Sequence, residues 1–206
     1  MRPGWPTGEP CALCEAYPPE FDRAVAALDY IPPWTPLIAR LKFHETPALA
    51  RPLGRLLAQA VRARGPCSRY TVVVPAPLSA ERHRERGYNQ AGLLAREVAC
   101  ALGLACEPEA LHKHQHTARM MSLQSDERAL QIRGAFSLLP DQARHLKGRD
   151  VALVDDVMTT GATLNELTRT LHAAGVRSVQ AWVLARTPPP RSGDAVTAAD
   201  EGRWEA

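Results

Sequence analysis

Two adjacent carboxylates, Asp155 and Asp156, are closely followed by threonines and a glycine in the run "DDVMTTGAT". Ionised carboxylates only accept hydrogen bonds, so this pair suits sugar hydroxyls or a metal ion and cannot itself hold a phosphate. The hydroxyls of Thr159, Thr160 and Thr163 can donate to an oxyanion, and Gly161 allows a tight turn and close backbone approach. A ribose 5-phosphate meets both demands. Its phosphate would sit on Val157, Met158, Thr159, Thr160, Gly161, Ala162 and Thr163, and its hydroxyls on Asp155 and Asp156. The plainer alternative is a capped helix after a solvated acidic pair, which leaves so long a run of fitting residues unexplained.

The flanks say what positions these groups. Val151, Ala152, Leu153 and Val154 form an apolar run without alternation, as in a parallel strand buried on both faces. Leu164, Leu167 and Leu171 recur on one helical face, and Gly175 follows as a helix stop. The motif therefore reads as strand, loop and helix N-terminus. The carboxyl end of a parallel strand is where open α/β sheets bind ligands, and a helix N-terminus attracts phosphate.

Further elements follow from the same periodicities. Residues 1–20 carry five prolines and read as irregular. Leu37, Ile38 and Leu41 suggest a short helix, and Thr46-Pro47 starts another with Leu49, Leu53, Leu56, Leu57 and Val61 on its apolar face. "TVVVP" (71–75) is a buried strand, 91–103 a helix stopped by Gly103, and 104–106 a short strand. Residues 112–131 are polar and unpatterned, while 134–138 and 179–185 read as strands. The tail from Pro188 has no core pattern and is expected to be disordered. Alternating strands and helices imply an α/β fold, an open parallel sheet flanked by helices.

Other constellations carry polar chemistry. The prolines of "VPAPL" fix a loop after the 71–75 strand, leaving backbone N–H groups at Ala76 and Leu78. "ERHRERGYNQ" places Arg82, Arg84 and Arg86 before Gly87, Tyr88, Asn89 and Gln90. Arginines clamp phosphates, Asn and Gln read polar edges, and Tyr stacks, although a helix start with solvated arginines is the plain alternative. His112, His114 and His116 would share a face on a strand, but no acidic or Cys partner is near in sequence, so solvated loop histidines are the better reading. Cys11-x-x-Cys14 is half of a four-ligand zinc set. Cys67, Cys100 and Cys106 are scattered and read as small buried apolar residues.

Composition narrows the class. The 206 residues are 45% hydrophobic and 23% charged, ordinary globular values that suit one domain with a small appendage. Aromatics at 5% argue against a stacking platform for single strands. The net charge of +3 does not demand a polyanion, but arginines are concentrated between Arg40 and Arg96. No G-x-x-x-x-G-K-[ST] run is present, which excludes a P-loop hydrolase. The chain shows no charged-then-apolar leader and no membrane-length apolar stretch, and its five cysteines are odd in number. The expectation is a reduced cytoplasmic protein.

"VDDVMTTGAT" resembles the phosphoribosyl pyrophosphate signature of type I phosphoribosyltransferases. "LIARLKFH" (37–44), "VVVPAPLSAERHRERGYNQAGLLAREV" (72–98), the segment from Thr117 to Phe136 and "VLART" (183–187) are similar to the ComF/GntX family. The resemblance covers residues 11–187 and implies the type I phosphoribosyltransferase fold. It divides the chain into a shortened zinc-ribbon-like segment over 1–30, the phosphoribosyltransferase-like domain over 31–187 and the tail over 188–206. With only Cys11 and Cys14 in that segment, little bound zinc is expected.

The resemblance also assigns roles. Asp155 and Asp156, with Arg128, would be catalytic, and the two acids would meet Mg²⁺ through the ligand. Pro75, Ala76, Pro77 and Leu78 would receive pyrophosphate, with a cis peptide at Val74–Pro75 or Ala76–Pro77. Arg86, Tyr88, Asn89 and Gln90 would complete the substrate site, and residues 112–128 would form the mobile loop of type I enzymes. Met120 and Gln131 depart from the family pattern of Gln and Asn. The implied function binds phosphoribosyl pyrophosphate or ribose 5-phosphate and transfers the phosphoribosyl group to a nitrogen nucleophile. The alternative is a binding protein that supports uptake of single-stranded DNA in natural transformation. Single-stranded DNA and a second copy of the chain stay open as partners.

Overall fold

The computed structural model describes residues 18–43, 46–68, 70–114 and 134–188. Strand β1 (Arg23–Asp29) leads to α1 (Trp34–Phe43), a 3₁₀ turn (Pro47–Leu49) and α2 (Ala50–Arg62). Then come β2 (Thr71–Pro75), α3 (Ala80–Arg86), α4 (Gln90–Leu102) and β3 (Ala105–Cys106). A pair of short strands, β4 (Leu111–Lys113) and β5 (Phe136–Leu138), precedes α5 (Pro140–Leu146). The chain closes with β6 (Asp150–Met158), α6 (Ala162–Ala173) and β7 (Ser178–Arg186).

The main sheet has the order β1-β7-β6-β2-β3, with every neighbouring pair parallel. Strand side chains alternate between faces, and the apolar run of each inner strand feeds two cores. Val72, Val74, Val151, Leu153, Val179 and Ala181 pack toward Leu164, Leu167 and Leu171 of α6 and toward β4 and β5. Val73, Ala152, Val154, Trp182 and Leu184 pack toward Ile38 and Leu41 of α1, Leu53 and Leu57 of α2, and Leu94 and Val98 of α4. Helices α2 and α4 approach so closely that a Cβ on Gly54 would lie 2.5 Å from that of Glu97, so the missing side chain makes this contact.

The sheet departs from the sequence reading at its margins. β1 lies before residue 31 and pairs with β7 from Arg23↔Gln180 to Asp29↔Arg186, so the sheet takes in part of the segment assigned to the ribbon. The 134–138 stretch gives β5, which pairs antiparallel with β4 outside the parallel sheet. Part of the unpatterned 112–131 region is thereby strand. The expected cis bonds at Val74–Pro75 and Ala76–Pro77 are trans, and the cis peptide among the described residues is Pro32–Pro33. Cys67 and Cys106 are half-buried, whereas Cys100 is exposed on α4, contrary to its reading as buried.

At the amino edge, Asp150 accepts from Arg177 Nε at 2.8 Å and from the Ser178 hydroxyl at 2.7 Å. The Arg177 hydrogen bond, with help from Ser178, holds the Asp150 carboxyl down to about 2. Because the folded value is depressed, the stabilisation is present above the unfolded range near pH 4 and is lost as pH falls toward about 2. Asp150→Asn should therefore cost about 1–3 kcal/mol at neutral pH. In paired urea melts that difference should shrink between about pH 4 and pH 2. A difference independent of pH would assign the cost to packing.

Candidate functional site

The sheet order creates the crevice. From β2 the chain moves outward to β3, and β6 returns on the other side of β2. The carboxyl ends of β2 and β6 thus flank the switch point where such sheets bind ligands. β2 ends at Pro75, opposite Val154, and the Ala76 N–H donates to the Val154 carbonyl at 2.8 Å. Beyond that point β6 runs on through Asp155 to Met158 with only β7 beside it. The strand does not stop at the acids; it carries them past its neighbour.

Asp156 continues the even-numbered series of Ala152 and Val154, toward α1. There the Lys42 ammonium lies 3.3 Å from its Oδ1. The Val157 N–H also donates to that oxygen, at 2.6 Å. Oδ2 of Asp156 is buried and has no hydrogen-bond partner, in a residue only 4% exposed. Asp155 continues the odd series and accepts from the Asp156 N–H at 2.8 Å. Burial, with repulsion from Asp156 adding to it, pushes the Asp155 carboxyl well above the usual carboxylate range. Lys113 of β4 acts on Asp155 from the other side, its own ammonium pushed down by burial and then by Arg82.

The predicted phosphate loop follows directly. Val157 is half-buried and Met158 buried, while Thr159 and Thr160 are exposed. Gly161 takes φ +81°, a conformation that side-chain-bearing residues rarely adopt. No side chain caps α6. Ala162 donates weakly to the Thr160 hydroxyl at 3.4 Å, and Thr163 is half-exposed in the first turn. Open N–H groups and a left-handed turn beside exposed hydroxyls make an anion cradle.

The β2 loop and the "RGYNQ" block fit together differently from expectation. Pro75 and Ala76 are buried, and Pro77 and Leu78 half-buried. The Ala76 N–H is spent on Val154, so of the two donors assigned to the loop only Leu78 has no acceptor among the described residues. Asn89 donates from Nδ2 to the Ala76 carbonyl at 3.0 Å and accepts the Ala91 N–H through Oδ1, capping α4. Its polar atoms hold the loop and the helix and are not spread toward a base. Tyr88 donates its hydroxyl to the Leu41 carbonyl at 2.7 Å. Gln90 is buried, with Oε1 unpartnered. Arg86 lies half-buried with its guanidinium over the Phe43 ring at 4.7 Å. Lys42, Phe43, Glu85, Arg86 and Tyr88 line a cleft of about 180 Å³ adjoining Asp156. A larger cavity of about 330 Å³, lined by Arg62, Cys67 and Leu104, lies at the amino edge of the sheet, away from this chemistry.

Arg128, His116, Met120, Gln131, Cys11 and Cys14 lie outside the described residues. His112 and His114 are exposed, His112 on a strand and not in a loop. Lys42 was not singled out by sequence reasoning. Its signal was its place in "LIARLKFH", one residue after the buried Leu41. Among the described residues no three His, Cys, Asp or Glu side chains converge to hold a metal ion. Two carboxylates suit Mg²⁺ only when the substrate phosphates supply further ligands.

The model of the phosphoribosyl transferase domain matches residues 41–196. The chain belongs to that family, in its ComF/GntX branch. It is 37% identical over 182 residues to the DNA utilization protein YhgH of Escherichia coli K12, covering 86% of this chain and 78% of that one. It is 36% identical over 179 residues to competence protein F of Haemophilus influenzae, covering 85% and 78%. A hypoxanthine-guanine phosphoribosyltransferase structure from Bacillus anthracis is similar at 16% identity and a TM-score of 0.43, covering 74% of this chain and 78% of that one. No helix among the described residues is long and apolar enough to cross a membrane.

Proposed function

We propose that the crevice at the ends of β2 and β6 binds phosphoribosyl pyrophosphate with Mg²⁺, and that the chain transfers the phosphoribosyl group to a nitrogen nucleophile. The observation that carries this reading is the orphaned, buried Oδ2 of Asp156 just before the open N-terminus of α6. One end asks for a hydroxyl donor and the other for an anion, and a ribose 5-phosphate has both.

In the reaction the nitrogen lone pair forms a bond to C1 as the C1–O bond breaks. The electron pair leaves with pyrophosphate, and the nitrogen gives up its proton to water. Asp155 and Asp156 hold the ring hydroxyls, and the Asp156 carboxylate, paired with Lys42, favours positive charge on the sugar in the transition state. Leu78 and Arg82 follow β2 in the chain, on the side where pyrophosphate would leave, while Arg86 packs over Phe43 of α1. Mg²⁺, when brought by the substrate, neutralises charge on the departing group. Arg128 is assigned here by resemblance alone.

A second reading has its own support. The two relatives carry names for DNA utilization and competence. Arg51, Arg55 and Arg62 are exposed on α2, with Arg64 just beyond it. They run along the helix instead of converging on the crevice, which gives single-stranded DNA a surface to follow.

One set of measurements separates the two. With the full chain and a panel of bases, pyrophosphate release from phosphoribosyl pyrophosphate is expected. Thr160→Val removes one hydroxyl donor to a charged group, so ribose 5-phosphate should bind about ten- to a hundredfold more weakly by calorimetry. Oligonucleotide titrations across salt should show weak binding with a shallow slope, about −0.7 per neutralised phosphate. Tight DNA binding at physiological salt, indifferent to phosphoribosyl pyrophosphate and without turnover, would put the second reading first.

A further inference from the structure

We propose that Lys42 is a specificity-determining residue of the crevice, holding Asp156 so that the site selects sugars by their ring hydroxyls. The proposal rests on the reading of the crevice as a ribose-phosphate site.

Three observations carry it. First, Lys42 reaches the site from α1, far from the signature in sequence, and its ammonium lies 3.3 Å from Asp156 Oδ1. The Val157 N–H occupies the same oxygen at 2.6 Å. Two donors on one oxygen fix the carboxylate and leave the buried Oδ2 without any. A buried carboxylate oxygen without a donor is uncommon and costly, so the arrangement asks for one to be supplied.

Second, Lys42 stands at a boundary. It is 21% exposed and lines the cleft of about 180 Å³ on one side while touching Asp156 on the other. An ammonium has three donors, and the contact to Asp156 uses one. A sugar hydroxyl is both donor and acceptor. It can give its hydrogen to Asp156 while accepting one from Lys42. A ring carbon bearing only hydrogen satisfies neither group and leaves both desolvated. The unbranched lysine stem can shift to admit the sugar without moving α1, whose Ile38 and Leu41 are fully buried.

Third, the structure invests in the position of Lys42. The Tyr88 hydroxyl ties the carbonyl of Leu41, the residue before it, at 2.7 Å. The Arg86 guanidinium covers the ring of Phe43, the residue after it, at 4.7 Å. The "RGYNQ" block therefore reaches the sugar through α1, as a set of positioning residues.

The test is calorimetry on the full chain with two probes, ribose 5-phosphate and 2,3-dideoxyribose 5-phosphate. The wild type is expected to prefer ribose 5-phosphate by about tenfold or more, since the analogue leaves charged groups unpaired. Lys42→Met should shrink that preference to within about threefold, mainly by weakening the ribose compound, and Lys42→Arg should restore most of it. A Lys42 that merely docks α1 would weaken both probes alike and lower the melting temperature, and that result overturns the proposal. So does an unchanged preference in a folded Lys42→Met. If Lys42→Met does not fold, Tyr88→Phe replaces it, with a smaller loss of preference expected and an unaltered preference counting against the proposal. Wild-type protein that binds neither probe would instead defeat the ribose-phosphate reading itself.

Discussion

Asp156→Ala should weaken ribose 5-phosphate binding by about ten- to a hundredfold. A hydrogen bond to a charged group is worth about 1.5–3 kcal/mol, and each 1.4 kcal/mol is about tenfold in affinity. The substitution removes the acceptor proposed for the sugar hydroxyl and deprives Lys42 of its partner. Its effect on folding is a separate matter. Removing one member of a buried ion pair can cost about 3–5 kcal/mol. Lys42 is 21% exposed and can take up water, so the actual cost should fall well below that range. Calorimetric titration alongside a thermal melt reads both. A collapsed melt with affinity retained in the surviving folded fraction would make Asp156 a structural residue.

Trp182→Ala should lower stability by about 3–5 kcal/mol, the usual range for truncating a large aromatic in a core. Trp182 is the largest fully buried side chain among the described residues and stands on β7, among the residues packed against α1, α2 and α4. Its indole N–H donates to Gln180 Oε1 at 3.2 Å, so alanine would also leave that oxygen without the indole donor. For a chain of this size each kcal/mol moves the melting temperature by about 2–4 °C, so a fall of roughly 6–20 °C is expected. Urea midpoints should move with it. A shift of only a degree or two would show that the surrounding leucines and alanines close over the space.

The centre of the fold was legible because β2, β6 and β7 are buried on both faces and advertise it as unbroken apolar runs. The margins were not. In β1 only Val25 is buried, because an edge strand meets a single neighbour, and its apolar run from Ala24 to Leu28 is mostly alanine, which favours helix over strand. β4 has three residues, two of them His112 and Lys113, and is too short for any period to declare itself; β5 was legible as a strand within 134–138, but its antiparallel pairing with β4 was not. Helix α5 starts at a proline and buries only Leu146.

The candidate site divides in the same way. The acids and the threonine loop could be read from residue type and spacing, since their chemistry is local. Lys42 could not, because its relation to Asp156 exists only after α1 packs on the sheet. Tyr88 and Asn89 were legible as important but not as scaffold. A polar side chain in a motif gives no hint of whether it faces a ligand or a carbonyl of its own chain.

The uncapped start of α6 has a consequence for the helix itself. Most helices borrow a serine, threonine, aspartate or asparagine to close their first turn. Here the flanking residue is Gly161, which has no side chain to lend. A phosphate seated on that turn would do the missing residue's work, so the helix would be finished by the substrate instead of by the chain. Amide hydrogens of Ala162, Thr163 and Leu164 would then exchange with solvent more slowly when the site is filled. The order of this turn would then depend on the complex, rising when the ligand arrives and falling when it leaves.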